Sequence, residues 1–298
     1  MEQRDWQGVL PAITTPFHDS LAVDHSRLAK HVAWLVQNGC RGIVALGSLG
    51  EAATLELDEK VRILETCKHA VGDRVPVIAG IAGLSTAQSV DLAKRAAAVG
   101  CGGLMVLPPY VYRGDWRETK AHFDAIIGAT ELSCLLYNNP IAYGTDVSPA
   151  QMGELSEHAN LHAVKESSGD VRRVTAIREA LGDRLNVLAG MDDAILESIP
   201  VGAVGWVAGL VNALPVESVR VFELARNGEW EAARALYDWF LPLLRLDTVP
   251  KFVQLIKLVQ SEVGQGNASV RPPRLSLEGD EREQVLALIR ERLACRPA

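Results

Sequence analysis

The strongest constraint on the fold is a series of short apolar runs that alternate with amphipathic segments along most of the chain. Most of these runs are too short for helices and show no polar alternation, which is typical of strands covered on both faces. Segments such as DHSRLAKHVAWLVQNG, with apolar residues at three- and four-residue steps, lie between them. Eight strands alternating with helices at intervals of roughly 20 to 30 residues predict an α/β fold, a (β/α)8 TIM barrel. The runs are GVLPAITTP, GIVALG, VPVIAGI, GLMVLPP, CLLYNNP, HAVKESSG, NVLAGMDD and AVGWVAG.

The chain beyond the eighth run is predicted to be helical. From Pro215 onward it contains PVESVRVFELARNGEWEAARALYDWFLPLLR, then VPKFVQLIKLVQSEVG, then DEREQVLALIRERLA. The proline-rich VRPPRLSL connects the last two of these segments. We therefore predict a barrel over residues 1–214 and a C-terminal helical extension over residues 215–298 that packs on it.

Charge and hydropathy exclude several classes of partner. The formal net charge is −7 at pH 7, whereas a protein that binds nucleic acid needs a basic face. No uncharged run reaches the roughly 18 residues that a membrane helix needs, and the N-terminal MEQRDWQGVL lacks the apolar core of a signal peptide. We expect a cytoplasmic protein whose partners include neither nucleic acid nor a membrane.

No residue pattern predicts a metal site. The five cysteines form no CxxC pair, and the seven histidines are scattered, with none at a predicted strand end beside a partner. Asp192 and Asp193 follow the seventh strand, where paired acids suit a divalent cation. Because no histidine or glutamate lies at ligand spacing, we prefer a role at a helix N-terminus for this pair.

A lysine at the end of an apolar strand is the first candidate for chemistry. Lys165 follows Ala163 and Val164 in HAVKESSG, and two interpretations compete: a solvated charge or an amine held in a dry pocket. In a (β/α)8 barrel, the C-terminal strand ends face the active site. Tyr137 ends the preceding strand, and a phenol beside an amine can transfer protons during Schiff-base formation. The presence of Tyr137 favours the second interpretation, a nucleophilic amine held in a dry pocket.

The turn GSLGE, residues 47–51, follows the second strand. Successive backbone N–H groups in such a turn form a concave site for a carboxylate, and Ser48 adds a hydroxyl. The competing interpretation is an ordinary strand-to-helix turn with Glu51 at a helix start. Taken together with Lys165, the turn is consistent with a carboxylate-binding site.

Five segments together resemble a known family over essentially the whole chain: PAITTPF, GSLGE, YNNP, VKESSGD and GMDD. In order and spacing they are similar to the dihydrodipicolinate synthase and N-acetylneuraminate lyase superfamily. The resemblance implies a class I mechanism with Lys165 as the Schiff-base lysine and Tyr137 as its proton relay. It also implies that Ser48 and the backbone of Ser48 and Leu49 bind the carboxylate of a 2-oxo acid. Such enzymes use no metal or organic cofactor and are usually homotetramers built as dimers of dimers.

Departures from the family pattern concern the substrate. The synthases have a GTTGE turn, and its second threonine is Leu49 in this chain. They also have an arginine two residues after the proline of the Y-N-x-P segment, where this chain has Ala142. Their P-Y-Y segment sends a tyrosine across a subunit interface; here Val111 occupies that position, and Tyr112 replaces the tyrosine only if the loop shifts. The sequence therefore disfavours 4-hydroxy-tetrahydrodipicolinate synthase activity. The predicted mouth of the barrel is apolar, which also disfavours sialic acid cleavage, because the long polyhydroxylated tail of that substrate needs several polar partners.

The stretches GSLGEAATL, VKESSGDVRR, GWVAGLVNALP and LLRLDTVPKFVQLIK…RPPR resemble a subgroup that deaminates 1-pyrroline-4-hydroxy-2-carboxylate to 2-oxoglutarate semialdehyde in hydroxyproline catabolism. The alternative within the same mechanism is a 2-keto-3-deoxy sugar acid dehydratase or aldolase, for which Ser167, Tyr143 and Asn212 supply polar groups. A different class, a catalytically silent barrel with a binding or regulatory role, is disfavoured because Lys165 and Tyr137 are both present.

We thus predict a Schiff-base lyase or hydrolase acting on a small 2-oxo acid or cyclic imine. The predicted catalytic residues are Lys165, Tyr137 and Ser48. The predicted substrate-binding residues are Leu49, Gly47, Ser167, Gly190, Val207 and Asn212.

Overall fold

The computed structural model describes residues 1–297 and contains one sheet of eight parallel strands. The sheet order is β1-β8-β7-β6-β5-β4-β3-β2, and a parallel bridge between Ala12 and Val44 joins β1 to β2. The predicted (β/α)8 barrel is therefore confirmed. The strands are β1 Gly8–Pro11, β2 Ile43–Ala45, β3 Val77–Ile81, β4 Gly103–Val106, β5 Ser133–Asn138, β6 Leu161–Glu166, β7 Asn186–Ala189 and β8 Gly205–Ala208.

Helices cover the outside of the sheet. Successive strand residues point to opposite faces, so one set of apolar side chains fills the barrel interior and the other packs under the helices. This burial on both faces explains why the strands read as unbroken apolar runs. The helices are α1 His25–Gln37, α2 Leu57–Val71, α3 Thr86–Val99, α4 Trp116–Ile127, α5 Pro140–Tyr143, α6 Pro149–Leu155, α7 Arg172–Leu181, α8 Ile195–Ser198, α9 Pro215–Arg226, α10 Trp230–Leu244, α11 Phe252–Glu262 and α12 Gly279–Ala294.

The C-terminal part of the chain is helical, as expected, but its first helix belongs to the barrel. Helix α9 follows β8 directly and packs against β1, which is the position of the eighth outer helix. The barrel helices therefore extend to Arg226, beyond the predicted boundary at residue 214. The segment between α10 and α11 includes a 3₁₀ turn, Arg245–Asp247, and packs against the turn that follows β7.

A buried ion pair attaches the extension to the turn after β2. Lys257 on α11 lies 2.5 Å from Glu51, and both side chains are almost completely buried. The second carboxylate oxygen of Glu51 accepts from the backbone N–H of Arg271, and Lys257 also donates to the carbonyl of Ser269. Because Glu51 closes the GSLGE turn, this pair couples the extension to one wall of the barrel mouth.

Replacing Lys257 by methionine is expected to destabilise the fold by about 3–5 kcal/mol, because it leaves the Glu51 carboxylate buried without its cation. Urea unfolding followed by circular dichroism measures the loss. The matched control is Lys251→Met, which removes an exposed ion pair with Glu281 and should cost less than about 1 kcal/mol. Equal unfolding midpoints for the two variants would contradict a stabilising role for the buried pair.

Candidate active site

Lys165 and Tyr137 lie side by side at the C-terminal ends of neighbouring strands. They are register partners on β6 and β5, and Ala163, two residues before Lys165, belongs to the barrel interior. The period of two in a strand therefore turns both side chains into the barrel mouth. The Nζ atom of Lys165 lies 4.3 Å from the centroid of the Tyr137 ring. Both residues line a cavity of about 400 Å³.

The amine of Lys165 is removed from water. The residue is 6% exposed, and burial lowers its pKa below the ordinary value, although the charge of Asp192 acts in the opposite direction. The competing interpretation, a solvated charge at a strand end, is inconsistent with this burial. Desolvation increases the fraction of free amine near neutral pH, and the free amine is the nucleophilic form.

Gly190, at the end of β7, makes room for the lysine. A Cβ at this position would lie 2.7 Å from Cε of Lys165 and 1.9 Å from Oγ of Ser167. Ser167 itself is fully buried and does not line the cavity. Glycine at 190 therefore sets how closely β7 approaches the lysine, whereas Ser167 lies behind it.

Three hydroxyl groups surround the lysine on one side of the cavity. Ser48 Oγ and the Tyr143 hydroxyl share a hydrogen bond, and the Tyr143 ring packs edge-on against Tyr137 at 5.7 Å. Asn139 donates to the Tyr137 hydroxyl at 2.9 Å. Burial raises the pKa of Tyr137 to about 12, so the phenol remains protonated near neutral pH and is available as a hydrogen-bond and proton donor.

The turn after β2 has the form expected of a carboxylate site. Its neighbour Leu46 and its last residue Glu51 both adopt left-handed backbone conformations, with φ of 63° and 56°. Among residues 1–297, no acceptor is bonded to the backbone N–H groups of Ser48 and Leu49. Both residues line the cavity. Free N–H groups beside a hydroxyl can receive the two oxygens of a carboxylate.

Most, but not all, predicted site residues converge on this cavity. Those that line it are Gly47, Ser48, Leu49, Tyr137, Lys165, Gly190 and Val207. Asn212 differs from the prediction. Its amide donates to the carbonyls of Ala12 and Gly209, and its oxygen interacts with His31 at 2.9 Å. Because these structural contacts use its polar atoms, Asn212 lies outside the cavity.

Sequence reasoning missed the contribution of the C-terminal extension. Asp247, Thr248 and Phe252, all from the extension, line the cavity. The polar residues of LLRLDTVP are Arg245, Asp247 and Thr248, and neither their pattern nor the resemblance of this stretch to the subgroup assigned them to the site. Tyr112 lies elsewhere: it is 63% exposed, and its hydroxyl donates to Glu118 at 3.1 Å.

The described residues contain no cluster of three or more potential metal ligands. Asp192 is instead used within the protein. Its carboxylate accepts from the Trp206 indole at 2.9 Å and from the backbone N–H of Leu210 at 2.7 Å, at the start of the 3₁₀ turn after β8. Asp192 therefore binds backbone N–H groups at the start of a helical turn, but this turn follows β8 and not β7. Within residues 1–297, no helix is both long and apolar enough to cross a membrane.

A parallel barrel with a desolvated lysine and a phenol at its C-terminal end belongs to the class of Schiff-base lyases. The chain belongs to the dihydrodipicolinate synthetase family, whose model matches residues 5–292. It is 35% identical over 273 residues to a 4-hydroxy-tetrahydrodipicolinate synthase of Synechococcus sp. (strain CC9605), covering 91% of this chain and 90% of that protein.

Solved structures of the family agree with the architecture. A dihydrodipicolinate synthase of Bacillus anthracis superimposes with a TM-score of 0.92 at 31% identity, covering 97% of this chain and 99% of that one. The chloride-inhibited enzyme of Acinetobacter baumannii, solved with pyruvate, gives 0.91 at 29% identity over 96% of this chain and 98% of that one. The correspondence therefore includes the barrel and the C-terminal helices.

Proposed function

We propose that the protein deaminates 1-pyrroline-4-hydroxy-2-carboxylate to 2-oxoglutarate semialdehyde through a Schiff base on Lys165. The observation that carries this choice is the charge of the cavity. Among the described residues that line it, Lys165 is the only one with a basic side chain. A substrate with one carboxylate, received by the Ser48–Leu49 turn, suits such a cavity. The synthase reaction adds pyruvate to a second substrate that has a carboxylate of its own, and Ala142 offers that group no partner.

The proposed roles follow from the geometry. Lys165 adds to the ring C=N bond, and transimination opens the ring to leave the substrate bound through its second carbon. Tyr137, above whose ring the amine lies, donates a proton to the ring nitrogen as it leaves the gem-diamine, and transfers protons again through the carbinolamine that forms when the Schiff base is hydrolysed. The Schiff base then acidifies the third carbon, and the 4-hydroxyl leaves as water. Proton shifts from the fifth carbon and its amine to the third and fourth carbons convert the terminal amine into an imine. Hydrolysis of this imine and of the Lys165 Schiff base then releases ammonia and the aldehyde. The apolar side chains Leu49, Ile141 and Val207 suit a small ring.

One specific observation favours a second candidate, a 2-keto-3-deoxy sugar acid dehydratase. Asp247 and Thr248 place polar groups in the cavity, and such a substrate carries an additional hydroxyl for them to bind. Both candidate substrates lose a hydroxyl from the carbon β to the Schiff-base carbon. The two functions therefore share the elimination step and differ in whether a ring nitrogen is released.

Product analysis tests the proposal. The purified protein is incubated separately with the cyclic imine, with 2-keto-3-deoxyarabonate, and with pyruvate plus aspartate semialdehyde, and products are followed by mass spectrometry and an ammonia assay. We expect ammonia and 2-oxoglutarate semialdehyde from the first mixture at a kcat/KM far above that of the others. Preferred turnover of the second or third mixture would replace the proposed function with the dehydratase or the synthase.

We also propose a homotetrameric assembly. Apolar side chains follow β3 and β4 on the surface of the isolated chain: Leu84 is 70% exposed and Val111 is 67% exposed. The proposal rests on the resemblance to enzymes that are usually homotetramers, and a subunit contact would cover these side chains. Light scattering coupled to gel filtration measures the assembly directly.

A further inference from the structure

A carboxyl group from the C-terminal extension reaches the reaction chamber. Asp247 ends the 3₁₀ turn between α10 and α11 and lines the same cavity as Lys165. Its carboxyl group lies against Gly209, at the end of β8. A Cβ at residue 209 would lie 2.0 Å from Oδ1 of Asp247, so only glycine leaves space for the carboxyl group. Gly209 thus determines where the side chain of Asp247 can lie.

Asp247 lacks the partners that a structural carboxylate normally has. Its Oδ1 atom is buried and has no hydrogen-bond partner among the described residues. A buried oxygen of this kind costs free energy unless a ligand or a proton satisfies it. Asp192, the nearest comparable group, accepts from Trp206, Gly209 and Leu210. The two acids therefore differ in what stabilises a negative charge on them.

This difference indicates which of the two carboxyl groups, Asp192 or Asp247, is protonated. Burial raises the pKa of Asp192 to about 6, while its three donors act in the opposite direction. Burial, and then the charge of Asp192, hold the pKa of Asp247 well above its ordinary value. The other titratable groups facing Asp247 are Lys165, Tyr137 and Asp193. Two nearby carboxyl groups whose environments separate their pKa values form a typical acid and base arrangement; here Asp192 holds the charge and Asp247 the proton.

We propose that Asp247 is a further catalytic residue, the general acid that protonates the hydroxyl leaving from the carbon β to the Schiff-base carbon. The inference rests on the proposed function but holds for both candidate substrates. The phenolate that Tyr137 becomes on protonating the departing ring nitrogen or carbinolamine hydroxyl takes an α proton, which converts the Lys165 Schiff base into an enamine.

The electron pair of the enamine then forms a double bond between the α and β carbons. The β C–O bond breaks, its electron pair stays with oxygen, and that oxygen takes the Asp247 proton and leaves as water. The products are an unsaturated iminium on Lys165 and the Asp247 carboxylate. The step therefore forms the positive charge of the iminium and the negative charge of the Asp247 carboxylate in the same cavity. Asp247 recovers its proton from solvent after product release.

The test exploits the leaving group. Fluoride can leave without being protonated, whereas a hydroxyl group must receive a proton to leave as water. Asp247→Asn keeps the size of the side chain and removes the acid, so kcat for the hydroxyl substrate should fall roughly 100- to 1000-fold. Release of fluoride from the analogue with fluorine in place of that hydroxyl should stay within about fivefold of the unmutated protein. The matched control Asp238→Asn, on the outer surface of α10, should change neither rate.

A second pair of measurements separates catalysis from folding. Borohydride trapping of pyruvate on Lys165 should persist in Asp247→Asn, which shows an intact site. For the unmutated protein, kcat should fall as pH rises through the pKa of Asp247, because the acid form is lost, and this limb should be absent in Asp247→Asn. Gly209→Ala, whose new methyl displaces the carboxyl group, should reproduce the selective loss with the hydroxyl substrate.

Each alternative outcome has one meaning. Equal losses with the hydroxyl and fluoro substrates, or no loss with either, would overturn the acid role of Asp247 while the proposed function stands. If the unmutated protein traps pyruvate but eliminates water from neither candidate substrate, the proposed function fails, and the role of Asp247 falls with it.

Discussion

Replacing Lys165 by methionine is expected to abolish covalent trapping of pyruvate and to lower kcat/KM on the order of 10⁴-fold or more, as for removal of other covalent nucleophiles. The amine forms the bond to substrate, and no other lysine lines the cavity among the described residues. Borohydride reduction followed by peptide mass spectrometry locates the adduct. Lys165→Arg keeps a cation but has no free amine, and should be equally inactive.

Lys94→Met, on the exposed surface of α3, is the matched control and should trap pyruvate normally. The pH dependence provides a second check. Because burial lowers the pKa of Lys165, deprotonation of its amine should be complete at a pH lower than the ordinary lysine pKa of about 10.4. The trapping rate should therefore rise with pH and level off below that value. A pyruvate adduct that persists in Lys165→Met would show that another residue is the nucleophile.

Replacing Tyr137 by phenylalanine should lower kcat roughly 10²- to 10⁴-fold, the usual range for loss of a positioned proton donor. The ring remains and keeps its 4.3 Å contact with Lys165, so the variant removes the hydroxyl and little else. Single-turnover kinetics should place the loss in Schiff-base formation and hydrolysis. Thermal unfolding should show a fold close to that of the unmutated protein.

Comparison with Tyr112→Phe identifies which phenol acts. The Tyr112 hydroxyl is exposed and bonded to Glu118 within its own chain, so its loss should have little effect on single-turnover rates. If Tyr112→Phe were as damaging as Tyr137→Phe, Tyr112 would have to reach the site of a neighbouring subunit. Unchanged rates in Tyr137→Phe would remove Tyr137 from the proposed mechanism.

The position of Lys165 shows how far local pattern can predict a site. Its strand is readable because both faces are buried, and counting eight such strands places its end at the mouth of a parallel barrel. The strand period then puts Lys165 and Tyr137 on the same inner face. These steps use patterns within single segments and the regularity of one fold, which explains why the sequence is sufficient for them.

Asn212 and Asp247 show where this reasoning stops. Both are polar residues in apolar surroundings, and Asn212 was the one predicted to bind substrate, as a polar group for a hydroxylated ligand. The structure uses Asn212 for buried contacts with Ala12 and His31. It brings Asp247 into the cavity from the segment between α10 and α11. Which polar group faces a ligand depends on how distant segments pack.

The sequence by itself therefore determined the eight strands, the barrel and the pairing of Lys165 with Tyr137. The strands and the barrel follow from short apolar runs that alternate with amphipathic segments, and the pairing follows from the order of two neighbouring strands. Only the tertiary structure decided that α9 completes the barrel, that Gly190 makes room for the lysine, and that Gly209 makes room for Asp247. The physical reason is that close packing between elements far apart in the chain sets these distances, and no local pattern encodes them.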